Sequence, residues 1–231
     1  MAVTYRSVAI SSLCINALLI LALVLAGKAL IGLYERALEA QFPVVPSISG
    51  PANSTIVFLG DSRVHQWGKV DGVGARYVSF AGATSSQIVA AVKSDLVELR
   101  GATDVYLQLG VNDLRLIGLQ SKRAEEIGLA TQKRIDELAS YLAAKNLRVT
   151  IITVFPTGPL RWVRRPVWSD EVSATLRSLN DRLLRHSGQG AVRVLDVSEV
   201  FAALGSAAFT DELHVSRRTY RELNQYLISN R

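Results

Sequence analysis

From residue 54 onward, short apolar runs alternate with longer stretches of helical periodicity, and this alternation narrows the fold more than anything else in the sequence. The runs are STIVFL at 54–59, RYVSF at 76–80, DVYLQL at 104–109, VTIITVF at 149–155 and VRVLDV at 192–197. Each has the length and β-branched or aromatic content of a strand. The helical stretches between and after them lie near 84–99, 121–145, 169–187 and 215–229. Strands that alternate with helices pair in parallel, because a parallel partner is reached only by a long crossover, and the helices then cover both faces of the sheet. The expectation is one α/β domain with five strands. In such domains ligands collect beyond the carboxyl ends of the strands, so residues that carry chemistry should stand just after them. The chain contains no internal repeat and no low-complexity segment.

A second feature sits outside this pattern. Residues 7–27 (SVAISSLCINALLILALVLAG) carry no charge. As a helix they would span about 31 Å, close to the ~30 Å hydrocarbon core of a bilayer. Two readings stand, an uncleaved transmembrane anchor and a cleaved secretory signal with Arg6 in its basic region. The anchor is favoured: no small-x-small site follows, and apolar character resumes past Lys28 through 29–34. A lipoprotein signal is disfavoured, since Leu13 precedes Cys14 where a small residue is expected. Basic residues lie on both sides of the run, Arg6 before it and Lys28 and Arg36 after it, so charge alone does not orient the segment. Cys14 is the chain's one cysteine, which excludes an internal disulfide and a cysteine-built metal site.

Residues 41–53 (QFPVVPSISGPAN) hold three prolines and read as a semi-extended linker. The expected division is therefore 1–40 anchor and flank, 41–53 linker, 54–231 folded domain. Of the net charge of +6, residues 1–41 contribute +1 (three basic, two acidic), leaving the remainder at +5. That surplus suits solubility, or attraction to anionic glycans or lipid headgroups. No arginine-rich helix or aromatic RNA-binding pattern is present, so no nucleic-acid partner is expected.

The strand ends carry distinctive residues. The first runs into Gly60-Asp61-Ser62, which places a serine hydroxyl at a strand-to-helix turn, where backbone N–H groups can meet a developing negative charge. The second runs into Ala81-Gly82-Ala83; a residue without a side chain lets its amide approach a substrate closely. The third runs into Gly110-Val111-Asn112-Asp113, where the Asn112 amide is a neutral donor. Near the C-terminus, Asp211-Glu212-Leu213-His214 spaces a carboxylate and an imidazole to meet on one turn. The carboxylate can then hold one ring nitrogen while the other faces Ser62. Each residue also has a plainer reading: Ser62 as a helix N-cap, Gly82 as a turn glycine, Asn112 as an Asx turn, Asp211/His214 as a surface ion pair. Asp113 reads as structural, and His65 and His186 fit none of the four blocks. Nothing has metal-ligand spacing, and no cofactor is called for.

Together, in this order and over the whole of 54–231, the blocks resemble the SGNH (GDSL-type) hydrolases, whose signatures are GDS, a lone glycine, GxND and DxxH. The resemblance implies a flavodoxin-like three-layer α/β/α sandwich with a five-stranded parallel sheet, here preceded by one N-terminal transmembrane helix. It implies Ser62 as nucleophile, His214 as general base and then acid, and Asp211 as the residue that orients His214. The backbone N–H groups of Ser62 and Gly82, with the Asn112 side chain, would form the oxyanion hole. The sequence departs from the pattern at Arg63, where small or apolar residues are frequent; an arginine here suits an anionic substrate group or a plain surface position.

By analogy with the family, the activity expected is hydrolysis of a small acyl ester, O-acetyl foremost, on an extracytoplasmic polysaccharide. Lysophospholipase or thioesterase action on lipids is the alternative, as is a non-hydrolytic glycan acyltransferase or binding protein. The resemblance also supplies the outward, periplasmic-side placement of the domain. One further segment, 155–168 (FPTGPLRWVRRPVW), follows the fourth strand with three arginines, two tryptophans and three prolines. Two readings of it stand. In one it walls the cleft, with Trp162 or Trp168 stacked on a sugar and Arg161, Arg164 and Arg165 holding an anionic group. In the other it is a surface loop whose tryptophans cover core. The same residues also suit a membrane interface.

Overall fold

The computed structural model describes residues 2–40, 44–70, 73–160, 168–185 and 192–230, with the side chains of 2–11 and 39 set aside. The chain divides into two compact units, Met1–Glu39 and Ala40–Arg231. The first is one helix, α1 (Ala2–Glu39), whose stretch Ser12–Leu38 is long and apolar enough to cross a membrane. Its large side chains, Leu13, Leu18, Leu23 and Leu30 among them, stay exposed all round the helix rather than along one stripe. A helix of this kind has no polar face to offer water.

The second unit is built on a six-stranded sheet. Its strands are β1 (Ser47–Ser49), β2 (Ile56–Gly60), β3 (Arg76–Ser79), β4 (Asp104–Gln108), β5 (Arg148–Ile152) and β6 (Val192–Leu195). Their order is β1-β3-β2-β4-β5-β6. The last five are parallel neighbours, so the expected five-stranded parallel sheet is present in flavodoxin-like order. The sixth strand corrects the expectation of five. β1 pairs antiparallel with β3, Ser47 opposite Ser79 and Ser49 opposite Tyr77, in the segment read as linker. It is three residues long and wholly exposed, so it has no apolar alternation to betray it. A side chain helps fasten it: Ser79 Oγ donates to the Ser47 carbonyl at 3.2 Å. A short polar strand in this place also closes an edge that would otherwise be open to pairing.

Helices lie on both faces. The strand pleat sends Phe58, Tyr77, Tyr106 and Ile152 to one side, where they pack with residues of three helices. These are α2 (Ser62–Trp67), α6 (Ser198–Leu204) and α7 (Arg217–Ser229), which contribute Val64, Trp67, Phe201, Tyr220 and Leu223. This core is aromatic: Phe58 stacks on Tyr77 and Tyr106, and Trp67 tilts against Phe58, Phe155 and Tyr220. Burial of such a side chain is worth roughly 1.5–3 kcal/mol. On the other face α4 (Ala124–Ala143) lies against β5, between α3 (Ser85–Lys93) and α5 (Asp170–Arg185). The fourth strand is shorter than its apolar run. Thr153 N–H still donates to the Leu195 carbonyl at 3.0 Å, but both backbone bonds of Val154 go to the Asn180 side-chain amide, each at 2.8 Å, and the strand ends.

Candidate active site

Three of the four blocks stand at adjacent strand ends. β3, β2 and β4 are neighbours, so the residues that follow them emerge side by side. Backbone bonds carry the register one step beyond the ladders: Phe80 N–H donates to the Gly60 carbonyl at 2.9 Å and Asp61 N–H to the Gln108 carbonyl at 3.3 Å. Gly60 is the residue that permits this. A Cβ at that position would lie 1.8 Å from the Gln108 carbonyl oxygen.

The first block then turns directly into α2. Its N-cap is Asp61, whose Oδ1 accepts from Arg63 N–H at 2.9 Å. Ser62 therefore does not cap the helix; it is the first helical residue, half-buried. Asp61 is fully buried, and burial raises its carboxyl pKa to about 6 against the opposing charge of Arg63 and the bond from Arg63 N–H.

In the second block Gly82 is exposed with φ +76°, a conformation that side chains resist. In the third, the buried Asn112 donates from Nδ2 to the Ala83 carbonyl at 3.0 Å. One amide hydrogen is thus committed to the neighbouring block and the second is left to point elsewhere. Asp113 ties the same two loops together. Its Oδ2 accepts from Ser85 N–H at 2.8 Å and its Oδ1 from Ser85 Oγ at 2.5 Å, with Arg134 at 3.4 Å. Burial raises the Asp113 carboxyl pKa, opposed by the two Ser85 bonds and then by Arg134.

The fourth block comes from a different element, the loop between α6 and α7. Asp211 Oδ2 meets His214 Nδ1 at 2.8 Å, while its Oδ1 accepts from the backbone N–H groups of Leu213 at 2.7 Å and His214 at 2.8 Å. Partial burial works to raise the Asp211 pKa, but the His214 ring and these two N–H groups outweigh it and hold the carboxyl below its ordinary value. One carboxylate oxygen is thus engaged with the imidazole and the other with the backbone of the same turn, and Nε2 is the ring nitrogen that Asp211 does not hold.

This block is joined to the first through Arg63. That side chain is 0% exposed. Its Nε donates to the Leu213 carbonyl at 2.9 Å, its Nη1 to the Phe155 carbonyl at 2.6 Å and its Nη2 to the Pro156 carbonyl at 3.1 Å. Its own carbonyl accepts from Tyr220 Oη at 2.8 Å. Neither a substrate-binding role nor a surface position survives, since no part of the guanidinium is open to a ligand. Trp168 is corrected for the same reason: at 5% exposure it is core and cannot stack on a sugar. Arg161, Trp162, Arg164, Arg165 and His186 lie outside the described residues. His65, half-buried, is occupied with Ser79, its Nδ1 lying 3.3 Å from Ser79 Oγ. Among the described residues no group of three His, Cys, Asp or Glu side chains could hold a metal ion.

The sheet order and the covering helices make the fold known from GDSL-type hydrolases. Solved structures share it. A GDSL-like lipase from Bacteroides thetaiotaomicron superposes with a TM-score of 0.60 at 18% identity, over 85% of this chain and 93% of that one. A member of the lipolytic G-D-S-L family from Veillonella parvula gives 0.56 at 18%, over 75% and 96%. An aryl esterase from M. smegmatis gives 0.56 at 15%, over 76% and 96%. No protein-family model matches the sequence, and no curated protein matches it either. At these identities the likeness is one of fold.

Proposed function

We propose that this protein is a serine ester hydrolase. The observation that carries the reading is the Asp211–His214 pair at 2.8 Å, on a loop that Arg63 fastens to the Ser62 turn. A carboxylate spent on one ring nitrogen is the arrangement a general base requires, because it fixes the tautomer and steadies the imidazolium that forms. In the proposed reaction Ser62 Oγ attacks the ester carbonyl carbon and its proton passes to His214 Nε2. The carbonyl oxygen becomes an oxyanion, met by the backbone N–H groups of Ser62 and Gly82 and by the second Asn112 amide hydrogen. Collapse breaks the bond to the alcohol oxygen, which takes the proton from His214. Water, deprotonated by the same ring, then attacks the acyl-serine; the acyl–Oγ bond breaks, Ser62 takes the proton back from His214 and the acid leaves. The fold shared with lipases and esterases supports this reading.

Within that class we place the substrate among small acyl esters, O-acetyl groups on an extracytoplasmic polysaccharide foremost. The support is the apolar α1, read as a membrane anchor, and the +5 charge of the remainder, which suits an acidic polymer. Lipid esters draw on the same helix and are the competing substrate. The deciding experiment uses the full chain in detergent. A fluorophosphonate probe should label Ser62, and release of acetate from an acetylated polysaccharide should exceed fatty-acid release from a lysophospholipid. Ser62→Ala should abolish labelling and lower the rate by at least ~10³-fold with the fold intact. Retention of more than about a tenth of the rate would remove Ser62 from the mechanism.

A further inference from the structure

We propose that Arg63 is a positioning residue that sets the alignment of Ser62 with His214. This rests on the ester-hydrolase reading and deepens it. The two reacting side chains are 152 positions apart in sequence and stand on loops of different elements. Adjacent strand ends fix Ser62 relative to Gly82 and Asn112, but no strand pairing fixes the Asp211–His214 loop relative to any of them. The Arg63 side chain does so. It begins one residue after Ser62 and ends one residue before His214, on the Leu213 carbonyl. Its two remaining nitrogens hold the Phe155 and Pro156 carbonyls, so the loop after β5 becomes the fixed post against which both catalytic loops are set. That post reaches the His214 loop a second time, where Gly158 N–H donates to the Glu212 carbonyl at 3.0 Å.

The chemistry explains why an arginine does this. A planar guanidinium spreads its donors in fixed directions and so reaches three carbonyls on two segments at once, whereas a lysine ammonium gathers its three donors at a single point. The charge is fully buried, and no salt bridge to a carboxylate is formed among the described residues; the Asp61 and Asp211 carboxylates support it only from a distance. A buried cation held chiefly by backbone carbonyls is costly to keep for packing alone, since an apolar side chain would fill the space without desolvating a charge. Its distinguishing property is directional reach between loops. Misplacement of a general base by an ångström is enough to cost ~10²-fold in rate.

Arg63→Lys, which keeps the charge, and Arg63→Met, which removes it, test this in the full chain in detergent, with 4-nitrophenyl acetate and a fluorophosphonate probe. In a folded variant kcat should fall by ~10²-fold while KM stays within about threefold, and Ser62 labelling should slow in parallel. The pH profile separates positioning from mere loss of structure. The wild-type rate should reach a plateau once His214 is neutral. A misaligned pair leaves deprotonation of Ser62 to hydroxide, so log(kcat/KM) should keep climbing with pH. The assignment is overturned if a folded variant keeps kcat within about threefold of wild type. It is also overturned if activity falls only with the fraction of molecules that label, the plateau being kept, or if neither variant folds. A wild-type chain that does not label at Ser62 overturns the hydrolase reading instead.

Discussion

Two carboxylates in the site meet opposite fates, and each yields a prediction. Asp61 has its pKa raised to about 6 by burial, from an ordinary value of 3.8. A raised acid binds its proton more readily in the folded state, so its contribution to stability is full below about pH 4 and is lost as pH rises through about 6. At 1.36 kcal/mol per pH unit that is about 3 kcal/mol. Asp61→Asn keeps an oxygen for Arg63 N–H and carries no charge. Its stability relative to wild type should therefore grow between pH 4 and pH 7, and thermal melts across that range would show it. A difference that stays constant with pH would mean Asp61 does not titrate there. Asp211 is held below its ordinary value and remains ionised over the same range. Asp211 should then add no step of its own to the kcat/KM profile, while a general base at His214 makes the rate rise with pH. A flat profile from pH 5 to pH 9 would count against His214. Asn112→Ala should lower kcat by ~10²–10³-fold and leave KM nearly unchanged, as loss of an oxyanion donor does. A change confined to KM would make Asn112 a binding residue.

At the scale of elements, the loops that carry Gly82 and Asn112 are held by a link no strand provides. α3 begins with Ser85, whose N–H and hydroxyl both go to the Asp113 carboxylate on the loop after β4. Asp113→Ala should cost about 1–3 kcal/mol in stability, because the Ser85 N–H and hydroxyl at the helix start lose their acceptor. It should also lower kcat, because Gly82 and Asn112 lose their common tether. Chemical denaturation and steady-state rates would check both. A stability loss with kcat unchanged would mean that the Asn112–Ala83 bond alone keeps the two loops in register. The same scale shows where the sequence misled. Ser47–Ser49 has three exposed residues and no period, so pairing with β3 is all that makes it a strand. α2 and α6, of six and seven residues, are too short for an apolar repeat to register, although the Ser62 turn marks where α2 starts.

For the molecule as a whole, the apolar α1 and the hydrolase-fold unit raise separate questions of place and chemistry. If α1 is an uncleaved anchor, the full-length chain should stay in the membrane fraction after an alkaline carbonate wash and should need detergent for release. A domain freed by cleavage near residue 40 would appear in the soluble fraction at lower mass and would favour the signal reading. A C-terminal alkaline phosphatase fusion should be active if residues 40–231 face outward; activity of a cytoplasmic reporter in its place would reverse the orientation.

The sequence by itself determined the local and periodic features. Alternating runs gave the five parallel strands and their helices, because a strand's period and a crossover's length are written in consecutive residues. It also placed Gly60-Asp61-Ser62, Gly82 and Asn112 at strand ends, and put Asp211 three residues before His214, a spacing at which one side chain reaches the other. Only the tertiary structure decided what depends on burial and on bonds between loops. Arg63 read as a side chain for an anionic group or for the surface and is buried, and of the two readings of Trp168, sugar platform or core cover, burial leaves core. Asp61, not Ser62, proved to be the helix cap. Residue type fixes what a side chain can bond, but which carbonyl lies within its reach is set by segments that meet only when the sheet is assembled, and no pattern in the chain records that meeting.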